Sequence, residues 1–276
     1  MRIQLFYLLL GGLVLLLTAC STLIAATPNP TSRSLTVFAA ASLIDPFTEF
    51  EEMFEAAHPS VDVILNFAGS QALRLQIEQG APADVFVSAN QNHAQALVAA
   101  HLIEVPVIFA KNQLVVIVPA DNPASINTLA DLARPEQKLI LADPNVPVGN
   151  YAREVLENLN ADPALGPDFS VWVLDNLVSE EDNVKGVVAK VLLGEADAGI
   201  VYTSDVTPAI AAELRTITIP AAYNVEAVYP LAITSNSKSP DLAQQFVEFV
   251  LSPQGQTVLA DHAFQPIHLQ FAGQKP

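Results

Sequence analysis

The chain has 276 residues, 51% of them hydrophobic, a formal net charge of −17 and a single cysteine, Cys20. That length fits one large domain or two of ordinary size, with enough residues for a real core. The acidic balance argues against nucleic-acid or anionic-membrane binding through clustered Lys and Arg, although a local site for a small anion can oppose the global field.

The N-terminal segment speaks to the compartment. Arg2 supplies a positive start, and residues 5–17 form an apolar stretch broken only by Tyr7 and the Gly11-Gly12 pair. Leu17-Thr18-Ala19-Cys20 follows, which resembles a lipoprotein export signal rather than a spanning helix. In such a signal (residues 1–20) the cut falls before Cys20, whose thiol carries a diacylglycerol anchor. With no second cysteine, no disulfide can form within the chain. Residues 21–33, rich in Thr, Ser, Pro and Ala, read as a flexible tether.

After the tether, short β-rich runs alternate with helical patterns. Residues 35–39 read as a buried strand, and Leu43, Phe47, Phe50, Phe54 and Ala57 then step by four, three, four and three along one helix face. Residues 61–67 are the next strand, 70–79 a helix closed by Gly80, 85–88 a strand and 90–100 a helix. Residues 114–119 are strongly β-forming and open a second set of such units. In it, 139–142 read as a strand, 149–160 as a helix and 171–174 as a strand. Val184, Val187, Val188, Val191 and Leu192 match the helical stripe, stopped by Gly194. Residues 198–202, 214–219 and 228–234 are further strands, and two helices, 240–250 and 253–260, follow. Strands alternating with helices imply βαβ units and mainly parallel sheets.

Catalytic signals are mostly absent. There is no phosphate-binding G-x-x-x-x-G-K-[ST] loop and no G-x-S-x-G elbow. His58, His93, His101, His262 and His268 show no paired spacing on one helix face, as a metal site would require. Glu51-Glu52 and Glu180-Glu181-Asp182 read as solvated charge in so acidic a chain. What stands out is the start of four helices, each following a strand or short loop: Ala39-Ala40-Ala41-Ser42, Phe67-Ala68-Gly69-Ser70, Pro147-Val148-Gly149-Asn150 and Asp182-Asn183-Val184. A helix start offers unpaired N–H groups and partial positive charge, so it binds anions without Lys or Arg. Small residues let an anion approach the backbone, and a Ser adds an O–H donor. Taken singly, each Ser also fits the plainer role of capping its own helix.

At these residues the chain resembles the extracytoplasmic molybdate-binding proteins of ABC-type importers, which are class II solute-binding proteins. The matching stretches are Thr36-Val37-Phe38-Ala39-Ala40-Ala41-Ser42-Leu43, Gln76-Ile77-Glu78-Gln79-Gly80-Ala81-Pro82-Ala83-Asp84-Val85-Phe86, Asp143-Pro144-Asn145-Val146-Pro147-Val148-Gly149-Asn150-Tyr151-Ala152 and Ala198-Gly199-Ile200-Val201-Tyr202-Thr203-Ser204-Asp205. The resemblance runs in order from about residue 35 to the C-terminus. It implies an α/β, two-lobe periplasmic-binding-protein fold in which each lobe is a mainly parallel sheet flanked by helices, joined by a two-segment hinge. Lobe 1 would be residues 34–113 and 231–276, and lobe 2 residues 114–230. It further implies a dehydrated oxyanion, molybdate or tungstate, held by uncharged donors. Ser42 and Ser70 would each give a hydroxyl and an N–H, Val148 and Val184 an N–H, and Tyr202 its phenolic O–H. The chain departs from the family at Val148, often Ala there, and at Gly69; neither change removes a donor. The segment 159–178 matches poorly.

The expected protein is a non-enzymatic, monomeric lipoprotein on the outer side of a bacterial membrane. It has no cofactor, no directly bound metal and no nucleic-acid partner, and it works with an ABC permease and its ATPase on other chains. Molybdate is a fully deprotonated dianion, an acceptor on every oxygen, so a site made only of donors complements it. The rivals are a relative specific for another oxyanion such as sulfate, and a non-transport enzyme on the same fold.

Overall fold

A computed structural model describes residues 33–267. Cys20, the export signal and the tether up to residue 32 lie outside the described residues, as do residues 268–276.

Two sheets carry the fold. In the first, β1 (Arg33–Ala40) lies between β2 (Val61–Ala68) and β3 (Val85–Val87) and is parallel to both, with Val37 opposite Leu65 and Val85. Parallel neighbours need a crossover, supplied here by helices α1 (Ile44–Ala57) and α2 (Ser70–Glu78); α3 (Gln91–Ala99) follows β3. The sheet continues beyond β3 with β10 (Ala227–Ile233), β4 (Val107–Asn112) and the short edge strand β11 (Gln265–Pro266), all joined antiparallel. The second sheet has the same plan. Its β6 (Leu139–Ala142) is parallel to β7 (Leu177–Glu181) and β8 (Ala198–Tyr202), while β5 (Leu114–Pro119) pairs antiparallel with β8 and β9 (Leu214–Thr218). Helices α4 (Pro147–Leu159) and α5 (Phe169–Leu174) join β6 to β7, and α6 (Val184–Leu192) joins β7 to β8. Each sheet is therefore mixed: parallel where helices cross over, antiparallel where the chain passes between sheets.

Burial explains why these segments hold. The stripe Phe47, Phe50 and Phe54 of α1 is fully buried, each ring contributing about 1.5–3 kcal/mol by leaving water. It meets α7 (Pro240–Leu251), with Phe54 and Phe246 ring centroids 5.3 Å apart and Phe50 and Phe249 5.7 Å apart, both edge-on. The C-terminal α7 and α8 (Pro253–Asp261) thus pack on the first sheet's side. All six residues of β5 are buried, which matches its unbroken apolar run.

Two elements differ from the sequence-based expectation. Residues 171–174, expected as a strand, belong to helix α5, and the strand follows it as β7. Phe169 and Val173 are buried at 1% and 0% exposure while Val171 and Trp172 stand 54% and 48% exposed. The i, i+4 spacing of the buried pair is helical, whereas a strand would have put Val171 and Val173 on one face. The helix start is tied to the end of α4, where Asn160 Oδ1 accepts from Ser170 N at 2.8 Å and Asn160 Nδ2 donates to Ser170 Oγ at 2.8 Å. Tertiary context overrides the β preference of this Val-rich run. Strand β4 had no sequence signal, since Val107-Ile108-Phe109-Ala110-Lys111-Asn112 lacks clean alternation.

The two passages between sheets lie side by side, with Ala227 opposite Asn112. Each is held by an asparagine. Fully buried Asn112 accepts from Gln113 N at 2.9 Å and Thr203 Oγ1 at 2.7 Å and donates to Ser204 Oγ at 2.8 Å. Asn224 donates to Leu114 O at 2.9 Å and accepts from Leu114 N at 3.2 Å.

Helix α4 begins pressed against the end of β6. A Cβ on Gly149 would come within 2.2 Å of Asp143 O and 2.3 Å of Ala142 O, so only glycine fits there. Gly149→Ala should lower the unfolding free energy by about 1–3 kcal/mol through overpacking. Urea titration of the variant checks this, and an unchanged midpoint would mean that the helix start shifts freely.

Candidate functional site

The parallel strands of both sheets end at the same place, where their following helices begin. In an open α/β sheet this edge is where ligands bind. The 3-10 turn Ala41–Leu43 follows β1, α2 follows β2, α4 follows β6, and α6 follows β7. Ser42, Ser70, Val148, Val184 and Tyr202 are all buried, and all five line one cavity. Both sheets contribute: Ser42 and Ser70 from the first, Val148, Val184 and Tyr202 from the second. No lining residue carries a formal charge. The cavity is small, about 10 Å³, against the roughly 300–1,000 Å³ of pockets that take drug-sized organic ligands.

These helix starts lack the usual side-chain caps. The N-cap positions of the Ala41–Leu43 turn, α2 and α4 are Ala40, Gly69 and Val146, and none makes a side-chain cap bond. Only α6 is capped, by Asn183, and that bond goes to Gly186 N, leaving the first N–H, that of Val184, without an intrahelical partner. Neither serine caps its own helix. Ser70 Oγ accepts from Ala89 N at 3.0 Å, so its own hydrogen remains free to donate. Ser42 Oγ lies 3.2 Å from the Tyr229 hydroxyl.

The Tyr202 hydroxyl is buried and, the neighbouring Tyr229 hydroxyl apart, has no hydrogen-bond partner among the described residues. Burial pushes the Tyr202 phenol well above its ordinary range, so it stays protonated and able to donate. Behind it, Asp205 Oδ2 accepts from Tyr202 N at 3.1 Å. Lys185 Nζ lies 3.3 Å from Asp205 Oδ1 and 3.5 Å from Asp45 Oδ2. The cation next to the site is therefore tied to two carboxylates and is not among the lining groups.

Three contacts join the sheets around the cavity. Gln71 Nε2 donates to Asp182 O at 2.8 Å, His93 Nε2 donates to Asn145 O at 3.0 Å, and Lys185 reaches Asp45. Burial holds His93 below the usual imidazole range. Gly69 lies at a close approach of the two sheets, since a Cβ there would sit 2.5 Å from Asp182 O. Tyr229, Lys185 and Asp205 were not candidates from the sequence. The Tyr202-Thr203-Ser204-Asp205 spacing, with Asp205 reaching back to Tyr202 N, was the one legible signal.

A family model described as bacterial extracellular solute-binding protein matches residues 35–265. The chain belongs to that family. It is 38% identical over 240 residues to the molybdate-binding protein ModA of Mycobacterium tuberculosis, covering 87% of each chain. Among solved structures, the periplasmic molybdate-binding protein of Azotobacter vinelandii aligns with a TM-score of 0.72 at 21% identity, over 85% of this chain and 100% of that one. The sulfate-binding protein SubI of M. tuberculosis aligns with a TM-score of 0.74 at 21% identity, over 86% and 88%. These two likenesses establish the two-lobe fold and leave the ligand to the site. A solute-binding protein captures and releases its ligand and is not an enzyme, and no cofactor is indicated for it. Among the described residues no helix is long and apolar enough to cross a membrane.

Burial, opposed by Lys185, pushes the Asp205 carboxyl up to about 6. Between about pH 4 and pH 6 the native chain then holds a proton that the unfolded chain has released, so this group's contribution to stability falls as pH rises. Asp205→Asn should gain stability relative to the parent as pH rises through that window, read by urea titration at several pH values. A constant difference would remove this account of Asp205.

Proposed function

We propose that the chain captures molybdate or tungstate between its two sheets and hands it to an ABC permease and ATPase on other chains. One observation carries the reading: the cavity gathers N–H and O–H donors from both sheets, with no charged group on its wall. Ser42 and Ser70 would each supply a hydroxyl and an N–H, Val148 and Val184 an N–H each, and Tyr202 its O–H. That is seven donors if all engage. At about 1.5–3 kcal/mol for each bond to a charged acceptor, such a set offsets the desolvation of a small dianion. The naming of relatives as molybdate-binding supports the choice of ion.

The donor set also selects by protonation. A fully deprotonated tetrahedral dianion only accepts, whereas hydrogen phosphate carries an O–H for which this wall has no carboxylate. Sulfate shares molybdate's hydrogen-bond pattern, so discrimination between them rests on cavity size. In this reading the lobes are the halves built on the two sheets, so residues 227–230, which pair in β10 with β4, go with the first lobe rather than with 114–226, and the lobes close about the two crossings. A diacylglycerol on Cys20 would anchor the monomer outside the membrane, with the residues between Cys20 and β1 as its tether.

Calorimetric titration of protein lacking residues 1–20 should give tight binding of molybdate and tungstate, with phosphate roughly a thousandfold weaker, about three tenfold steps of affinity. Equal affinity for sulfate and molybdate would sink the assignment of the ion. Ser42→Ala and Ser70→Ala should each weaken molybdate about tenfold to a hundredfold, the worth of one charge-assisted bond. Val148→Ala should change it by less than about twofold, because the N–H survives the substitution. A large loss at Val148 would mean that its side chain, not its backbone, makes the contact.

A further inference from the structure

Lys185 is the second residue of α6, directly after Val184, and its ammonium sits between two carboxylates. Asp205 Oδ1, 3.3 Å away, follows β8 and belongs to the same sheet as α6. Asp45 Oδ2, 3.5 Å away, is in the first turn of α1, three residues after Ser42, on the side of the other sheet. Asp205 is fully buried, whereas the Lys185 and Asp45 side chains are 29% and 43% exposed.

Helix stability does not account for this lysine. The start of a helix disfavours a cation, and the basic residue at the favourable end of α6 is Lys190. Whatever holds the Lys185 ammonium at the start of α6 comes from the two carboxylates. Asp205 also accepts from Tyr202 N at 3.1 Å, so the ammonium is held from behind by a residue already fixed to the site. Exposed ion pairs are weak largely because two flexible side chains must be ordered to make them; here one partner is ordered beforehand. Of the three contacts that join the sheets around the cavity, those of Gln71 and His93 end on backbone carbonyls. The third, Lys185 with Asp45, joins opposite charges.

We infer that the Asp45–Lys185 pair is a latch across the cleft that keeps the two halves shut on the ligand, with Asp205 positioning the lysine. None of the three side chains lines the cavity, so they act as positioning residues, by holding Ser42 against Val184 and Tyr202. The inference rests on the oxyanion reading above and deepens it by assigning what sets the residence time of the bound ion. A plain field effect has a different signature. Acting only through charge on a dianion, loss of Asp45 would tighten binding and loss of Lys185 would loosen it. A latch has one sign, and losing either partner weakens binding.

The test compares the parent with Asp45→Asn, Lys185→Gln and the double substitution, on the otherwise intact protein. Molybdate affinity is read by calorimetry, and release by chasing bound radioactive molybdate with excess unlabelled ion. Asp45→Asn should weaken affinity about twofold to fivefold, the worth of a part-exposed pair, nearly all of it as faster release. In the Lys185→Gln background the added Asp45→Asn should cause no further loss. Raising salt from about 0.05 M to about 0.5 M should narrow the gap between the parent and Asp45→Asn. Tighter or unchanged binding by Asp45→Asn, or an equal loss with and without Lys185, would overturn the inference. So would a lower urea midpoint for Asp45→Asn at unchanged affinity, which would leave Asp45 serving only its own helix start. If Lys185→Gln strands the buried Asp205 charge and does not fold, Lys185→Gln with Asp205→Asn provides the background instead. Should the parent bind no molybdate, the oxyanion reading itself falls, a result distinct from a parent and an Asp45→Asn variant that bind alike.

Discussion

The structure depends on helix starts that are left open. Where Ala40, Gly69 and Val146 precede their helices, no side chain returns to satisfy the first N–H groups. Helix termini in proteins ordinarily use Ser, Thr, Asp or Asn for that purpose. A buried donor left unsatisfied costs about 1–3 kcal/mol, so in the proposed reading a guest that only accepts hydrogen bonds is what this cluster of donors selects. The packing that brings the starts together (Gly149 against the end of β6, Gly69 against Asp182) tolerates no Cβ, and so the donors are set by backbone contact rather than by mobile side chains.

Charge is handled separately from this. The chain as a whole is strongly acidic, yet the cavity wall is uncharged, and Lys185, next in sequence to the lining residue Val184, is paired with Asp45 and Asp205. An exposed lysine in the cavity would attract any anion alike. Dipoles aimed at fixed points instead reward geometry and protonation state. The fold alone does not choose among ions, as the comparable likeness to molybdate- and sulfate-binding structures makes plain.

Much of this was readable from residues. The Val184–Leu192 stripe and the strands Leu114–Pro119, Leu139–Ala142 and Ala198–Tyr202 coincide with the structure because their apolar periodicity agrees with their burial. The reading failed where periodicity and environment part. Val171 and Trp172 look β-forming but face outward on a short helix whose register is set by Phe169, Val173 and the Asn160–Ser170 bonds. Strand β4 is built from a run with no alternation, because adjacent Phe109 and Ala110, on opposite faces, are both buried. At the cavity, helix starts were visible as small-residue clusters after strands. Tyr229 was not, because it reaches Ser42 across 187 positions of chain and carries no local motif.

The asparagines at the two crossings have a mechanical consequence. A strand leaving one sheet for another loses its ladder partners, and Asn112 and Asn224 supply amide groups in place of the missing backbone ones. An amide on a side chain swivels about its own torsions, where a ladder bond is locked to the strand. The two crossings are thus held by side-chain amides, Asn112 fully buried and Asn224 half-buried, whose torsions are separate from those of the strands they join.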